Sequence, residues 1–266
     1  MAHFDMLVIG TGPAGQKAAI QAAKLGKKVG IIERKGVVGG VCINTGTIPS
    51  KSLREAVIYL SGYHQRKLYG SSYRVKQDIT MRDLAFRCNH VIQHEIQTIQ
   101  DQMARNRVET ISGLASFVDP HRLHITQGQD SNEHTADYIV IAVGTEPARP
   151  RHIPFDEHTV IDSDGLLTLT DLPKSIAIIG GGVIGAEYAT ILATRGIQVA
   201  LIEKRPRLLE FVDTEIIEAL RTFLALDRDT VQECYRAACG RVSVGRPADI
   251  RSLRARRDRV LGPSYR

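Results

Sequence analysis

From residue 4 onward, short apolar runs alternate with longer stretches of helical periodicity. Phe4–Ile9 (FDMLVI) is a compact apolar run stopped by glycine, the pattern of a strand buried on both faces. Ala14–Leu25 (AGQKAAIQAAKL) sets Ala, Ile and Leu at helical spacing, and Gly26 follows as a C-cap. Lys28–Glu33 (KVGIIE) predicts a second strand. Strand, helix and strand make one βαβ unit, and the right-handed crossover makes its two strands parallel.

Ser50–Gln65 reads as a helix, and Thr80–Arg105 as a longer one with the apolar stripe Leu84, Cys88, Val91, Ile92, Ile96, Ile99 and Met103, an ordinary core face. Residues 108–142 alternate short β-rich segments and end in Tyr138–Ala142 (YIVIA). The turn-rich Arg149-Pro150-Arg151-His152-Ile153-Pro154 marks a crossing between domains. The opening pattern then recurs: strand Ser175–Ile179, glycine turn Gly180–Gly185, helix Val183–Arg195, strand Gln198–Glu203. A spacing of 170 residues between Gly10 and Gly180 signals a duplicated domain, not a solenoid repeat. After a helix at Thr214–Phe223 the periodicity fades and no further strand is predicted. Such an ending is expected to be disordered or poorly packed, as a frame change or a truncated gene product would give.

Composition adds little to this picture. With 43% hydrophobic and 24% charged residues in 266, the chain is in the soluble globular range. No apolar run reaches the roughly 18 residues that suggest a membrane span, and MAHFDMLVIG lacks the basic start of a secretory signal. Four cysteines without a CxxC pair predict neither a disulfide framework nor a zinc site. The expected location is therefore cytoplasmic, with no metal and no membrane partner. The net charge of +6 is uneven: residues 227–266 hold ten Arg, no Lys and five acids, so the tail carries most of it. Tyr235 and Tyr265 are isolated there, so a solvated basic tail is favoured over a nucleic-acid contact.

The chemistry lies in the two glycine turns. Gly10-Thr11-Gly12-Pro13-Ala14-Gly15 is GxGxxG placed directly after a strand and opening a helix. The first Gly permits the turn, the second lets a pyrophosphate approach the backbone, and the third allows close helix–strand packing. Glu33 ends the following strand, where a carboxylate can accept from ribose hydroxyls. Gly180, Gly182 and Gly185 repeat the motif, with Glu203 in the equivalent acidic position. Two such sites imply two dinucleotides and electron transfer between them. Lys204, Arg205 and Arg207 follow Glu203, and the mixture of acid and cations leaves both NAD and NADP open at this site.

GTGPAG, GGVCINTGTIPSK, YIVIAVGTEP and GGGVIGAEYA occur in the order and spacing of the pyridine nucleotide–disulfide oxidoreductases, and the resemblance spans residues 4 to about 223. The implied fold is α/β, a two-dinucleotide-binding flavoprotein: a Rossmann-like FAD domain (1–148), an incomplete Rossmann-like NAD(P) domain (149–226) and an atypical Arg-rich tail (227–266). The family's disulfide-reducing members carry C-x4-C where this chain has Cys42 and Thr47. At that position the chain looks like the soluble pyridine nucleotide transhydrogenase branch. A dithiol relay needs two sulfurs, and threonine supplies none. Hydride transfer between NADPH and NAD⁺ through FAD needs no sulfur pair.

The resemblance assigns FAD contacts to Gly10, Gly12, Pro13, Ala14, Gly15, Glu33, Arg34, Lys35, Gly36, Gly39, Gly40, Val41, Cys42, Lys51, Ala115, Gly144 and Thr145, and NAD(P)H contacts to Gly180, Gly182, Gly185 and Glu203. It implies catalytic roles for Lys51, close to the flavin N5, and for its partner Glu187. It also implies a homodimer, but the second FAD segment and the C-terminal interface domain are not recognisable in this sequence, so that inference is not carried over. Two alternatives remain open at this point: an inactive nucleotide-binding fragment and a dihydrolipoamide dehydrogenase-like oxidoreductase. Cys234 and Cys239 share the C-x4-C spacing without its flanking glycines, which makes coincidence the simpler reading. Cys88 reads as a small buried hydrophobe.

Overall fold

A computed structural model gives the fold and describes residues 1–70, 72–205, 207–225, 231–235 and 259–261. Most of the expected tail, including Cys239 and with it the Cys234–Cys239 pair, lies outside the described residues. In chain order the elements are β1 (Ala2–Ile9), α1 (Pro13–Lys24), β2 (Val29–Glu33), α2 (Gly40–Asn44), α3 (Thr47–Ser61), α4 (Arg66–Tyr69), α5 (Met81–Arg105), β3 (Glu109–Ser112), β4 (Leu114–Asp119), β5 (Arg122–Gln127) and β6 (Asp130–Ile141). There follow β7 (Val160–Ile161), a short 3₁₀ turn (Gly165–Thr168), β8 (Ser175–Ile179), α6 (Val183–Arg195), β9 (Gln198–Glu203), α7 (Thr214–Ala225), β10 (Val231–Tyr235) and β11 (Arg259–Leu261). They divide into two compact units, Met1–Pro49 with Cys88–Thr145 and Ser50–Arg87 with Glu146–Arg266.

The first unit is built on a six-stranded sheet of order β3-β2-β1-β6-β5-β4. The strands β3, β2, β1 and β6 run parallel, and β6, β5 and β4 form an antiparallel meander. Neighbouring residues of the central strands enter opposite cores. Val8 and Ile31 pack with Ala19, Val29, Ile99 and Met103, while Leu7 and Ile32 pack with Phe4, Leu123, Ile125 and Ala136. That two-sided burial is why the sequence reads as a continuous apolar run instead of an alternation. Each fully buried Leu or Ile contributes roughly 1.5–3 kcal/mol by leaving water.

The second unit carries a five-stranded parallel sheet, β10-β9-β8-β11-β7. Helix α6 buries Ala186, Tyr188, Ala189, Ile191, Leu192 and Ala193, so its apolar residues surround much of its circumference. Leu53, Val57, Met81, Leu84, Leu166, Leu169, Ile191 and Leu192 line a common apolar pocket in the same unit. Helix α5 starts where Thr80 and Asp83 cap each other: the Thr80 N–H donates to Asp83 Oδ2 at 2.8 Å, and the Asp83 N–H to Thr80 Oγ1 at 3.3 Å.

Three features differ from the sequence pattern. The expected helix Ser50–Gln65 starts earlier, at Thr47, and ends earlier, at Ser61, while a separate short helix α4 begins only at Arg66, past its expected end. The break comes at Gly62 (φ +66°), whose backbone holds a left-handed turn against the Tyr73 ring. The short helix α2 lies in the GGVCIN segment, too brief for any periodicity to announce it. Strands β10 and β11 overturn the expectation of no strand after Thr214–Phe223. They are five and three residues long, and parallel pairing with β9, β8 and β7 places them where a two-residue period has no length to show. Among the described residues no helix is long and apolar enough to cross a membrane.

Candidate functional site

In the first unit, β1 ends at Ile9 and the chain turns through Gly10 (φ +104°) into α1, with Pro13 in the first turn. A Cβ at Gly10 would lie 2.3 Å from the Ala142 carbonyl oxygen, and one at Gly15 would lie 2.0 Å from the Gly10 oxygen. Both positions are closed to any side chain. Gly12 differs: a Cβ there meets nothing within 4 Å, and its φ of −67° is ordinary. Its missing side chain therefore leaves an open cradle instead of relieving an internal clash. Above that cradle α1 begins with no side-chain cap and no acidic residue in its first turn, leaving amide donors and the positive end of the helix for an anion. These residues fit a dinucleotide pyrophosphate.

Other expected residues gather around this turn. The Gly39 N–H donates to the Thr11 carbonyl at 3.1 Å and lies 3.2 Å from Thr11 Oγ1, and a Cβ at Gly40 would come within 2.9 Å of Gly12 Cα. Val41 and Cys42, with a free thiol, are half-buried on α2. Glu33 is buried, accepting from the Thr11 N–H (3.3 Å), from the Thr11 hydroxyl, and from the Lys35 N–H (2.9 Å). Arg34, Lys35 and Gly36 follow on the exposed turn after β2. The Gly113 N–H donates to the Glu33 carbonyl, so β4 and its half-buried Ala115 start beside the acid. Gly144 and Thr145 are exposed just beyond Ala142, whose N–H bonds the Ile9 carbonyl. The sequence pattern does not single out Thr11, because it occupies the variable position of GxG, which no motif constrains.

The second unit repeats the turn. Gly180 (φ +111°) leads into α6, a Cβ at Gly185 would lie 1.9 Å from the Gly180 oxygen, and Gly182 caps a helix again free of side-chain caps and first-turn acids. Glu203 is 5% exposed and accepts from the Gly181 N–H at 2.7 Å and the Arg205 N–H at 2.9 Å. The Arg205 guanidinium forks onto both its oxygens, Nε at 3.0 Å and Nη2 at 2.7 Å. These bonds, the guanidinium first, pull the Glu203 pKa down to about 2 against the opposing effect of burial, and the same pairing raises that of Arg205. The clamp between Glu203 and Arg205 is a contact that the sequence shows only as neighbouring charges.

Lys51 on α3 and Glu187 on α6, both in the second unit, form an ion pair, and Ser50 Oγ donates to the same Glu187 oxygen at 3.4 Å. Lys51 is 59% exposed and Glu187 20%, so the ammonium stands at the protein surface with its carboxylate beneath it. Thr47, in the place of a second cysteine, is the exposed first residue of α3.

Comparison with known proteins gives the family and the fold. The model of the pyridine nucleotide-disulphide oxidoreductase family matches residues 4–228. A soluble pyridine nucleotide transhydrogenase from Mycobacterium bovis is 53% identical over 227 residues, covering 84% of this chain and 48% of the relative. One from Colwellia psychrerythraea is 45% identical over 218 residues, 82% of this chain and 47% of the relative. The chain thus spans about half the length of the curated relatives it matches. Among solved structures, the Cu(II) complex of the HOCl-induced flavoprotein disulfide reductase RclA from Escherichia coli matches with a TM-score of 0.73 at 29% identity, over 92% of this chain and 52% of that one. LpdA from Mycobacterium tuberculosis shares the fold, with a TM-score of 0.77 at 21% identity over 92% of this chain and 54% of that one.

Proposed function

This chain belongs to the pyridine nucleotide-disulphide oxidoreductase family, and we propose that it serves FAD-dependent hydride transfer between NADPH and NAD⁺. The observation that carries the reading is a pair of matching glycine turns, each with an open helix N-terminus and a buried acid, in a chain whose C-x4-C position holds Thr47. FAD, when bound, would supply the two-electron chemistry. In this reading Gly12, Gly39 and Gly40 hold its pyrophosphate region, with Glu33 on the ribose side and Ala115, Gly144 and Thr145 along its length. Gly180, Gly182, Gly185 and Glu203 take the nicotinamide dinucleotide in the same manner. Lys51 offers a fixed positive charge, held in orientation by Glu187, against the negative charge that a reduced flavin acquires.

The relatives' names favour this over a dihydrolipoamide dehydrogenase-like reaction, and so does the residue at 47. A thiolate at Cys42 has no sulfur five residues on with which to share electrons. The test is a steady-state assay of the purified, FAD-supplemented protein with NADPH and thio-NAD⁺. Hydride should pass to thio-NAD⁺ well above a heat-killed control while lipoamide is not reduced. Lipoamide reduction without transfer would assign the disulfide chemistry instead.

A further inference from the structure

Thr11, fully buried in the first glycine turn, ties together segments that meet nowhere else in the sequence. Its N–H donates to Glu33 Oε2 at 3.3 Å, and its hydroxyl donates to the same oxygen. The hydroxyl oxygen accepts in turn from the Gly39 N–H at 3.2 Å, a donor it shares with the Thr11 carbonyl at 3.1 Å. That carbonyl also takes the buried Gln16 side-chain amide at 2.7 Å. With an N–H behind it and a carboxylate ahead, the hydroxyl proton has one direction open to it, and each bond in the row polarises the next. The row fastens the Gly39–Gly40 segment over the turn. Both glycines hold left-handed backbone there (φ +108° and +60°), and a Cβ at Gly40 would come within 2.9 Å of Gly12 Cα.

The second turn has no counterpart to this hydroxyl. Gly181 stands in the place of Thr11, and a Cβ there would lie 2.3 Å from Leu208 Cδ2, so that turn excludes any side chain. The proposed reaction asks different things of the two turns. Nicotinamide dinucleotides must enter and leave at each turnover, whereas FAD must stay to carry hydride from one to the next. We propose that Thr11 is a positioning residue that retains FAD. Its hydroxyl fixes the Glu33 carboxylate on the ribose side and, through Gly39, the segment beside the pyrophosphate, so release of FAD requires the row to open. This inference rests on the reading above that the first turn holds FAD.

The test follows FAD release from the loaded full chain by the return of flavin fluorescence on dilution, and FAD capture by stopped-flow quenching. Thr11→Val keeps the shape and removes the hydroxyl. It should speed release by at least about tenfold and leave capture within about threefold, since a hydrogen bond to a charged group is lost and such losses fall mainly on dissociation. Thr11→Ser, which keeps the hydroxyl, should release FAD within about threefold of the unaltered rate. In a Glu33→Gln background, Thr11→Val should add less than about threefold, because the carboxylate it holds is already gone. Melting of the flavin-free variants checks folding, and Thr11→Ala takes the place of Thr11→Val if the latter does not fold. Unchanged release in the folded variant without the hydroxyl overturns the inference. So does equal acceleration by Thr11→Ser, or full additivity with Glu33→Gln; each leaves the FAD site standing. Failure of the unaltered protein to take up FAD overturns the inference and the reading of the first turn together.

Discussion

Glycines 10, 12 and 15 are alike in sequence and unlike in what their missing side chains do. Gly10 and Gly15 face carbonyl oxygens at distances no Cβ tolerates, so they serve the fold. A Cβ at Gly12 would meet nothing within 4 Å and its φ is ordinary, so the fold does not require glycine there and in the proposed function it serves the ligand. Two substitutions should separate these roles. Gly15→Ala forces a contact of 2.0 Å between Cβ and a backbone oxygen, and should lower the melting temperature by several degrees through about 1–3 kcal/mol of overpacking. Gly12→Ala should leave the melting temperature of the flavin-free protein unchanged and weaken FAD at least about tenfold in a flavin-fluorescence titration, because the methyl group occupies the cradle. Equal effects of the two would mean that the turn has only a structural role. At this scale the sequence exposes the glycines and the terminal acids through fixed spacing. It does not expose Thr11 or the Arg205 fork, because a hydrogen bond to a buried carboxylate depends on the direction in which a loop returns, and spacing does not encode direction.

Among the elements, the informative pair is α3 and α6, joined by Lys51 and Glu187. Pairs this exposed contribute about 0.2–1 kcal/mol, so stability alone gives little reason to place them together. A role toward the flavin predicts a different signature. Lys51→Met should change the unfolding free energy by less than about 1 kcal/mol and make the midpoint potential of bound flavin more negative, since a positive charge that favours the reduced form is gone. An unchanged potential would leave the pair as surface chemistry. The elements themselves are largely legible: β8, α6 and β9 have the bounds their patterns predict, because a buried strand or a helix capped by glycine writes its limits in the sequence. The elements that the pattern does not show are short. Helix α2 and strands β10 and β11 are set by loop geometry and by sheet edges supplied from elsewhere in the chain, and three to five residues carry no period.

On the scale of the molecule, duplication is the main fact. Two units each carry a sheet with parallel central strands, a glycine turn and a buried acid, and the 170-residue offset between the turns is plain in the sequence alone. The grouping of Ser50–Arg87 with the residues after 145 is not, since an amphipathic helix declares that it has a buried face without declaring which sheet covers it. The central claim is that electrons pass between two nicotinamide dinucleotides with no sulfur relay between them. Anaerobic titration of the flavin-loaded protein tests it most directly. With Thr47 in place of a second cysteine, Cys42 has no sulfur at the family's spacing with which to form a disulfide that takes up an additional electron pair, so one equivalent of NADPH should bleach the flavin fully and NAD⁺ alone should restore its colour. A requirement for two equivalents, with colour returning only when a disulfide such as lipoamide is added, would contradict the account.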